Sequence, residues 1–291
     1  MGDMFSQKLK DYQQLMKLNL SLLVVFSSVI GYLIIPELVF SFLNVVLLFL
    51  GGLLITAAAN ATNQLIEQDE DSLMKRTADR PLAAGRMSNR EAIFFICLSL
   101  LLGFAILFFQ FNALAAYLSL GSYLLYSFVY TPLKKKSALS VLVGALPGSL
   151  PCVIGWAAGT GSIFMPEAWL LFSFQFFWQF PHFWAIAWIG HDDYSKAGMK
   201  MLPQPTKESR FTSFQTVFYS SILLPLAILP KIFGLTSWVG SAILAAAGVG
   251  FMIFAIQFFK KNNDASARKL MFASFAYLPI ILFTFLIDKF I

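Results

Sequence analysis

Four side chains that carry oxygen ligands recur at helical spacing near residue 65. Asn60, Asn63, Glu67 and Asp71 are separated by three, four and four positions. Because an α-helix has a period of about 3.6 residues, all four are expected on one helix face. Like charges at i,i+4 destabilise an isolated helix by roughly 0.2–0.5 kcal/mol, so stacking Glu67 above Asp71 favours a ligand-binding role. Such oxygens suit Mg²⁺, which is typically held by one or two carboxylates together with substrate phosphate oxygens.

A second acidic pair, Asp192 and Asp193, ends another apolar segment. Basic residues follow both acidic groups: Lys75, Arg76, Arg80, Arg86 and Arg90 after the first, and Lys196, Lys200, Lys207 and Arg210 after the second. Carboxylates interleaved with Lys and Arg are what a Mg²⁺-diphosphate substrate requires. Two simpler explanations stay open. Lys75 could neutralise Asp71 at i,i+4, and basic residues are enriched in cytoplasmic loops without any ligand.

The elements that must position these residues are membrane helices. Hydrophobic residues make up 58% of the 291 positions and charged residues 12%, whereas soluble proteins have about 45–50% and about 25%. This composition excludes a soluble fold and predicts an all-α membrane protein with a single polytopic domain. Apolar segments of about 20 residues predict nine transmembrane helices in a single bundle. They lie near 17–35, 38–66, 92–111, 113–131, 138–160, 167–190, 212–230, 235–259 and 270–288.

The basic residues predict the orientation of this bundle. All of the 21 Lys and Arg residues except Lys231 and Lys289 fall before the first segment or in every second loop. By the positive-inside rule the N-terminus and these loops are cytoplasmic, and the C-terminus is outside. The net charge of +6 is thus explained by topology, and no nucleic-acid partner is expected. The first 15 residues resemble neither a signal peptide nor a transit peptide, which favours a bacterial inner (plasma) membrane.

Several sequence strings resemble one enzyme family. The run from Asn63 to Leu82 resembles the first acidic motif of the UbiA-type intramembrane prenyltransferases, and MKRTADRPLAAGRMS is similar to their heme O synthase (protoheme IX farnesyltransferase) subgroup. Four further strings match that subgroup: YTPLKKK at 130–136, the run from Gly144 to Trp156, PHFW at 181–184 and DDYSKAGMKMLP at 192–203. One position departs from the pattern, because Glu67 stands where the superfamily usually has Asp. Asp69 lies two residues on, so the choice between Glu67 and Asp69 as the second acidic ligand stays open.

The resemblance implies transfer of a farnesyl group from farnesyl diphosphate to a vinyl group of protoheme IX (heme B). Water is added, and heme O and diphosphate are released, as a step towards the heme O and heme A of terminal oxidases. Mg²⁺ is the implied cofactor, heme B is a substrate, and a downstream heme-modifying enzyme is a candidate partner. The expected metal ligands are Asn63, Glu67, Asp71, Asp192 and Asp193. The expected diphosphate-binding cations are Lys75, Arg76, Arg80 and Lys196, with Lys134, Lys135 and Lys136 second; Asp71 and the first four cations are also the expected catalytic residues.

An allylic cation needs a dry site lined by electron-rich rings. The candidates for a heme or prenyl pocket are Tyr126, Tyr130, Trp178, Trp184 and His182. In a chain with 16% aromatic residues, packing or an interfacial belt is the simpler explanation for any single ring. His182 lies within a predicted membrane helix, where polar residues tend to be functional; it could face heme iron or simply bond a neighbouring helix. Two rival functions are a quinone-precursor prenyltransferase, which the subgroup strings disfavour, and a small-molecule carrier, which the placement of polar residues at two helix ends disfavours.

Overall fold

The computed structural model describes residues 2–204, 206–207 and 209–289, and every regular element within these ranges is helical. The helices are α1 (Gly2–Met16), α2 (Leu18–Leu33), α3 (Phe42–Ile66), α4 (Gln68–Leu73), α5 (Asn89–Gln110), α6 (Ala113–Leu124), α7 (Thr131–Lys136), α8 (Ser140–Thr160), α9 (Pro166–Ile189), α10 (His191–Lys196), α11 (Phe211–Leu226), α12 (Leu229–Ile232), α13 (Trp238–Lys261) and α14 (Asp264–Asp288). The predicted all-helical class is confirmed.

A helix occupies most of each of the nine predicted segments, and two of the differences from the prediction have clear physical reasons. The last segment was predicted from 270, whereas α14 begins at Asp264, because Asn263 caps it with a hydrogen bond from Ser266 N to Oδ1 (3.0 Å). The first 16 residues were not predicted to be helical, yet α1 covers Gly2–Met16. Lys17, in the left-handed conformation (φ 47°), separates α1 from α2.

The described residues contain seven helical spans that are long and apolar enough to cross a membrane, or eight if the pair formed by α1 and α2, bent by 49°, counts as one. Helix α9 has 24 residues but is not among them. Its glutamines, tryptophans, prolines and histidine lower its mean hydropathy. A membrane-type helical bundle is therefore established, while the predicted number of nine crossings and their orientation stay predictions.

Close helix packing around α8 sets the geometry of the bundle interior. A side chain at Gly155 would place its Cβ 1.8 Å from the carbonyl oxygen of Ser28, so α2 and α8 approach to backbone contact there. Between α6 and α7 the chain continues through a π-helical stretch, Leu125–Tyr130. The ring of Tyr130 fills the space above Gly144, where a Cβ would lie 2.7 Å away. Isolated π-helical stretches are frequent at functional sites.

Candidate functional site

The first acidic group forms one buried face at the end of α3. The α-helix breaks at Glu67, but the hydrogen bonds from Glu67 N to Asn63 O (3.0 Å) and from Asp71 N to Glu67 O (2.8 Å) preserve the i,i+4 stacking. Asn63 Nδ2 donates to Glu67 Oε2 across 2.8 Å. Glu67 is 3% and Asp71 1% exposed, while Asp69 points to solvent. The predicted shared face is confirmed, and Glu67 rather than Asp69 lies on it.

Three cations surround these buried oxygens. Arg80 Nη1 donates to both carboxylate oxygens of Asp71 at 2.7 Å each. The ammonium of Lys134, itself buried, pairs with Glu67. Lys17 Nζ donates to Asn63 Oδ1 across 2.7 Å. The face therefore gathers two carboxylates and three positive charges in a partly dehydrated environment, where charge interactions are stronger than in water.

The other predicted cations are more exposed. Lys75, which was an alternative partner of Asp71, is exposed, and Arg80 takes that role instead, so this alternative is wrong. Lys136 and Lys196 are also exposed, whereas Lys135 pairs with Glu70. The basic side chains that contact the buried oxygens thus come from three parts of the chain. Arg80 follows the first acidic motif, Lys134 lies on α7, and Lys17 precedes α2.

The second acidic group lies on α10 and adjoins the first. Asp192 is exposed and Asp193 half-buried, with Lys196 Nζ 3.9 Å from Asp193. Arg76 reaches across from the first group and donates from Nη2 to the hydroxyl of Tyr194 (3.4 Å). The backbone N–H of Lys200 donates to the carbonyl oxygen of Lys134 across 2.7 Å. The first link joins α10 to the segment that follows the first acidic motif, and the second holds the loop after α10 against α7.

The five predicted metal ligands do not converge in this conformation. Within the described part of the chain, no group of three or more His, Cys, Asp and Glu side chains is placed to hold a metal ion. The donor set still fits Mg²⁺, because Asn63, Glu67 and Asp71 bring amide and carboxylate oxygens to one face. Glu67 Oε1, however, already faces the Lys134 ammonium, so a metal would compete with this lysine for that oxygen. The metal-ligand set stays a prediction.

Lys17 is a site residue that sequence reasoning missed. It was counted only as one of the basic residues that report topology. Its side chain reaches Asn63 because the bend after Met16 is fixed by α3, where Asn60 Nδ2 donates to Met16 O (3.1 Å) and Gln64 Nε2 donates to Leu15 O (2.9 Å). The available signal was a lone lysine immediately before an apolar segment on the side that carries the acidic groups.

The loop that follows the first acidic motif also holds α1 in place. Arg86 Nε donates to the buried carboxylate of Asp11 across 2.9 Å, and its Nη1 donates to Asp79 at 2.7 Å. The hydrogen bond to Asp11 is the largest contribution that raises the pKa of Arg86 above its ordinary value. Arg86, one of the basic residues that follow the first acidic group, thus ties α1 to the same loop that supplies Arg80.

The aromatic pocket candidates separate into different regions. Tyr126 and Tyr130 form a pair with ring centroids 5.2 Å apart, and the ammonium of Lys134 lies 5.0 Å from the Tyr130 ring. His182 instead stacks on Trp178 at 4.6 Å and hydrogen-bonds through Nδ1 to Ser274 Oγ (2.7 Å) on α14.

Trp184 belongs to a third region. It packs against Phe180 and Tyr219, with ring centroids 5.5 and 5.3 Å away. The two tyrosines are therefore the pocket candidates that adjoin the acidic face, and the bond that was the alternative reading of His182 is present.

The fold resembles solved structures of membrane prenyltransferases. A structure described as digeranylgeranylglyceryl phosphate synthase superposes with a TM-score of 0.80, covers 97% of this chain and 99% of its own, and is 21% identical. A UbiA homologue from Archaeoglobus fulgidus bound to GPP and Mg²⁺ superposes with a TM-score of 0.69, covers 95% and 99%, and is 19% identical. At these identities the likeness establishes the fold.

Curated relatives are closer in sequence. The protoheme IX farnesyltransferase of Cytophaga hutchinsonii is 43% identical over 278 residues, which is 96% of this chain and 97% of the relative. The protein of the same name from Christiangramia forsetii is 42% identical over 97% of this chain and 94% of its own. The profile of the UbiA prenyltransferase family matches residues 24–278, a range that includes the buried face of α3, α10 and all the cations described except Lys17. The chain therefore belongs to the UbiA prenyltransferase family.

Proposed function

We propose that this prenyltransferase transfers a farnesyl group from farnesyl diphosphate to a vinyl group of protoheme IX, releasing heme O and diphosphate. The observation that carries the proposal is the identity of 40% or more, over nearly the whole chain, to several relatives named protoheme IX farnesyltransferase. The product would supply heme O, and through a downstream heme-modifying enzyme heme A, to terminal oxidases.

The buried face of α3 supports a diphosphate-binding role. Asn63, Glu67 and Asp71, completed by Asp192 and Asp193 from α10, would hold Mg²⁺. When bound, the metal supplies Lewis-acid stabilisation of the diphosphate as the carbon–oxygen bond of the allylic substrate ionises. The A. fulgidus homologue that has the same fold was solved with GPP and Mg²⁺, which agrees with a divalent cation at such a site.

The cations on this face would bind the remaining charge of the diphosphate. Arg80, Lys134 and Lys17 pair with protein oxygens in the structure, and these are the groups closest to the carboxylates. Guanidinium and ammonium groups form short, charge-assisted hydrogen bonds to phosphate oxygens. Lys75, Arg76 and Lys196 are exposed around them and would attract the anionic substrate from the aqueous phase.

The apolar part of the substrate would lie beyond this face, inside the bundle. Tyr126 and Tyr130 border the acidic face, and their electron-rich rings would stabilise an allylic cation. His182, with Nδ1 engaged by Ser274, retains Nε2 as a candidate ligand for heme iron. In this arrangement the farnesyl diphosphate approaches from the aqueous end of the bundle, and protoheme IX approaches from the membrane.

The predicted topology places this chemistry on the cytoplasmic side of a bacterial inner membrane. At one end of the bundle Lys17 binds Asn63 and Lys134 pairs with Glu67. At the other end Lys289 Nζ donates to the carbonyl oxygens of Leu33 and Ile35, at 2.7 Å each. Lys17 and Lys289 thus lie at opposite ends of the bundle, as an odd number of crossings requires; we propose nine of them, with the N-terminus cytoplasmic.

Heme analysis tests the proposed function directly. The chain is expressed in bacterial membranes that make heme B but lack their own farnesylating enzyme, and the hemes are extracted for chromatography and mass spectrometry. We expect a hydroxyethylfarnesyl heme that depends on both farnesyl diphosphate and Mg²⁺. If heme B is recovered unchanged while a quinone precursor becomes prenylated, the acceptor assignment is wrong and only the family assignment stands.

A further inference from the structure

Two glutamines are buried inside the bundle where α9 packs on α8. Gln175 and Gln179 are 3% and 4% exposed and lie one helical turn apart. Gln179 Nε2 donates to Ser149 Oγ (2.7 Å), to the carbonyl oxygen of Gln175 (3.1 Å) and to that of Ala145 (3.3 Å). In contrast, Gln175 Oε1 has no hydrogen-bond partner in the described part of the chain. A buried acceptor left without a partner costs about 1–3 kcal/mol, so its retention calls for a function.

These amides adjoin the region proposed for the reacting carbon atoms. Gly144 and Gly148 are four residues apart on α8, which corresponds to about 6 Å along the helix axis. A Cβ at Gly144 would meet the Tyr130 ring, and a Cβ at Gly148 would lie 2.1 Å from Gln179 Oε1. Gln179 therefore lies about one helical turn deeper than Tyr130, beside a glycine of α8, and Gln175 lies one further turn along α9.

The proposed reaction requires a water molecule next to the reacting vinyl group. Addition of a farnesyl group to a vinyl carbon leaves a cation on the adjacent carbon, and heme O carries a hydroxyl group there. Bulk water at the diphosphate would instead capture the farnesyl cation and give farnesol. The enzyme must therefore hold one water away from the diphosphate and next to the vinyl group.

We propose that Gln175 and Gln179 bind the water that hydrates the alkylated vinyl group, an inference that rests on the proposed farnesyl transfer to heme. The bond from farnesyl C1 to the diphosphate oxygen breaks, and its electron pair leaves with the diphosphate. C1 bonds to the terminal vinyl carbon, and the π electrons of the vinyl group form this bond. The water oxygen then bonds to the resulting cationic carbon, and the water proton passes to the released diphosphate, which has become more basic.

Neutral amides suit this task better than acids. A buried water is typically held by about three hydrogen bonds, and the oxygen of Gln175 supplies an acceptor that no protein group satisfies. A carboxylate at the same place would pair with the carbocation or remove its proton, and loss of a proton would give a dehydrated heme. An amide accepts from water and leaves a lone pair of the water oxygen free to attack.

The test compares the hemes made by the wild type and by Gln175→Met, whose side chain has nearly the same volume but no acceptor oxygen. Hemes are extracted from membranes supplied with farnesyl diphosphate and H₂¹⁸O, and the ratio of dehydrated to ¹⁸O-labelled hydroxylated farnesyl heme is measured. We expect this ratio to rise at least tenfold in Gln175→Met. Gly148→Ala, which crowds Gln179 Oε1, should act in the same direction. Thr216→Val, which removes a buried hydroxyl bonded to Ser213 O, is the control and should leave the ratio unchanged.

The possible results distinguish a failure of the proposed farnesyl transfer from a failure of the proposed water binding. If the wild type makes no farnesylated heme at all, the proposed function fails. If the wild type makes labelled heme O and both Gln175→Met and Gly148→Ala retain its product ratio, the amides do not hold the water. A folded Gln175→Met protein that loses all farnesylation would also overturn the inference, because it would indicate a role in substrate binding.

Discussion

Asp71 and Glu67 are carboxylates that are buried together with their counter-charges. Burial of an ion pair is seldom favourable by itself, since desolvation offsets the attraction, and such pairs are often replaceable by apolar residues. Asp71 is held by two hydrogen bonds from Arg80, and Glu67 by the ammonium of Lys134 and the amide of Asn63. Both carboxylates are thus held in a fixed orientation, which a site for a metal-bound diphosphate requires.

A substitution at Asp71 separates this function from simple ion pairing. Asp71→Asn keeps the shape and one acceptor oxygen for Arg80 but removes the negative charge. Because metal-ion stabilisation of a leaving group is worth several kcal/mol, we expect turnover to fall roughly a hundredfold or more while the protein still inserts and purifies normally. Asp69→Asn, two residues away on the exposed side, is the matched control. Equal activity in the two variants would remove Asp71 from the site.

A substitution at Glu67 tests whether the length of this carboxylate side chain matters for turnover. Glu67→Asp restores the residue that the superfamily usually has at this position and shortens the side chain by one methylene. Since charge and both oxygens are kept, we expect kcat to stay within about tenfold of the wild type in a heme O assay, the range over which ligand-positioning changes usually act. Complete loss of activity, with normal Mg²⁺-dependent binding of farnesyl diphosphate, would instead show that the longer side chain is needed for catalysis.

At the scale of elements, the bend between α1 and α2 brings a distant charge to the site. Lys17 adopts φ 47°, a conformation that is uncommon for residues other than glycine, and α3 fixes it through the carbonyl groups of Met16 and Leu15. The spacing of Asn63, Glu67 and Asp71 was readable from the sequence because it follows a local helical period. Lys17 was not, because its approach depends on tertiary contacts that have no periodic signature.

Substitution of Lys17 tests whether its charge contributes to the binding of farnesyl diphosphate. Lys17→Met removes the ammonium but keeps an unbranched apolar side chain, so α1 should remain docked through Arg86 and Asp11. A hydrogen bond to a charged group is worth about 1.5–3 kcal/mol, and we therefore expect KM for farnesyl diphosphate to rise about tenfold to a hundredfold. Lys10→Met, at an exposed position on α1, should leave KM unchanged. A normal KM in Lys17→Met would show that this charge supports only the fold.

At the scale of the whole molecule, the helical class and the positions of the apolar segments could be predicted from composition and length. The crossings themselves are harder to count, because α9 replaces aliphatic residues with Gln175, Gln179 and aromatic rings. Such a helix is shielded from lipid by its neighbours, so it can be polar enough to resemble a buried soluble helix. The residues that lower its hydropathy are the ones that the proposed chemistry uses, which is why hydropathy and function conflict there.

Accessibility of single cysteines tests the orientation of the bundle. In a background of Cys97→Ser and Cys152→Ala, we place one cysteine at Ser137, between α7 and α8, or at Phe164, between α8 and α9. Nine crossings with a cytoplasmic N-terminus put these two loops on opposite sides. A membrane-impermeant maleimide applied to intact spheroplasts should label Phe164→Cys and should label Ser137→Cys only after lysis. Labelling of Ser137→Cys alone would invert the topology and move the acidic face to the outer side, where a cytoplasmic pool of farnesyl diphosphate could not reach it.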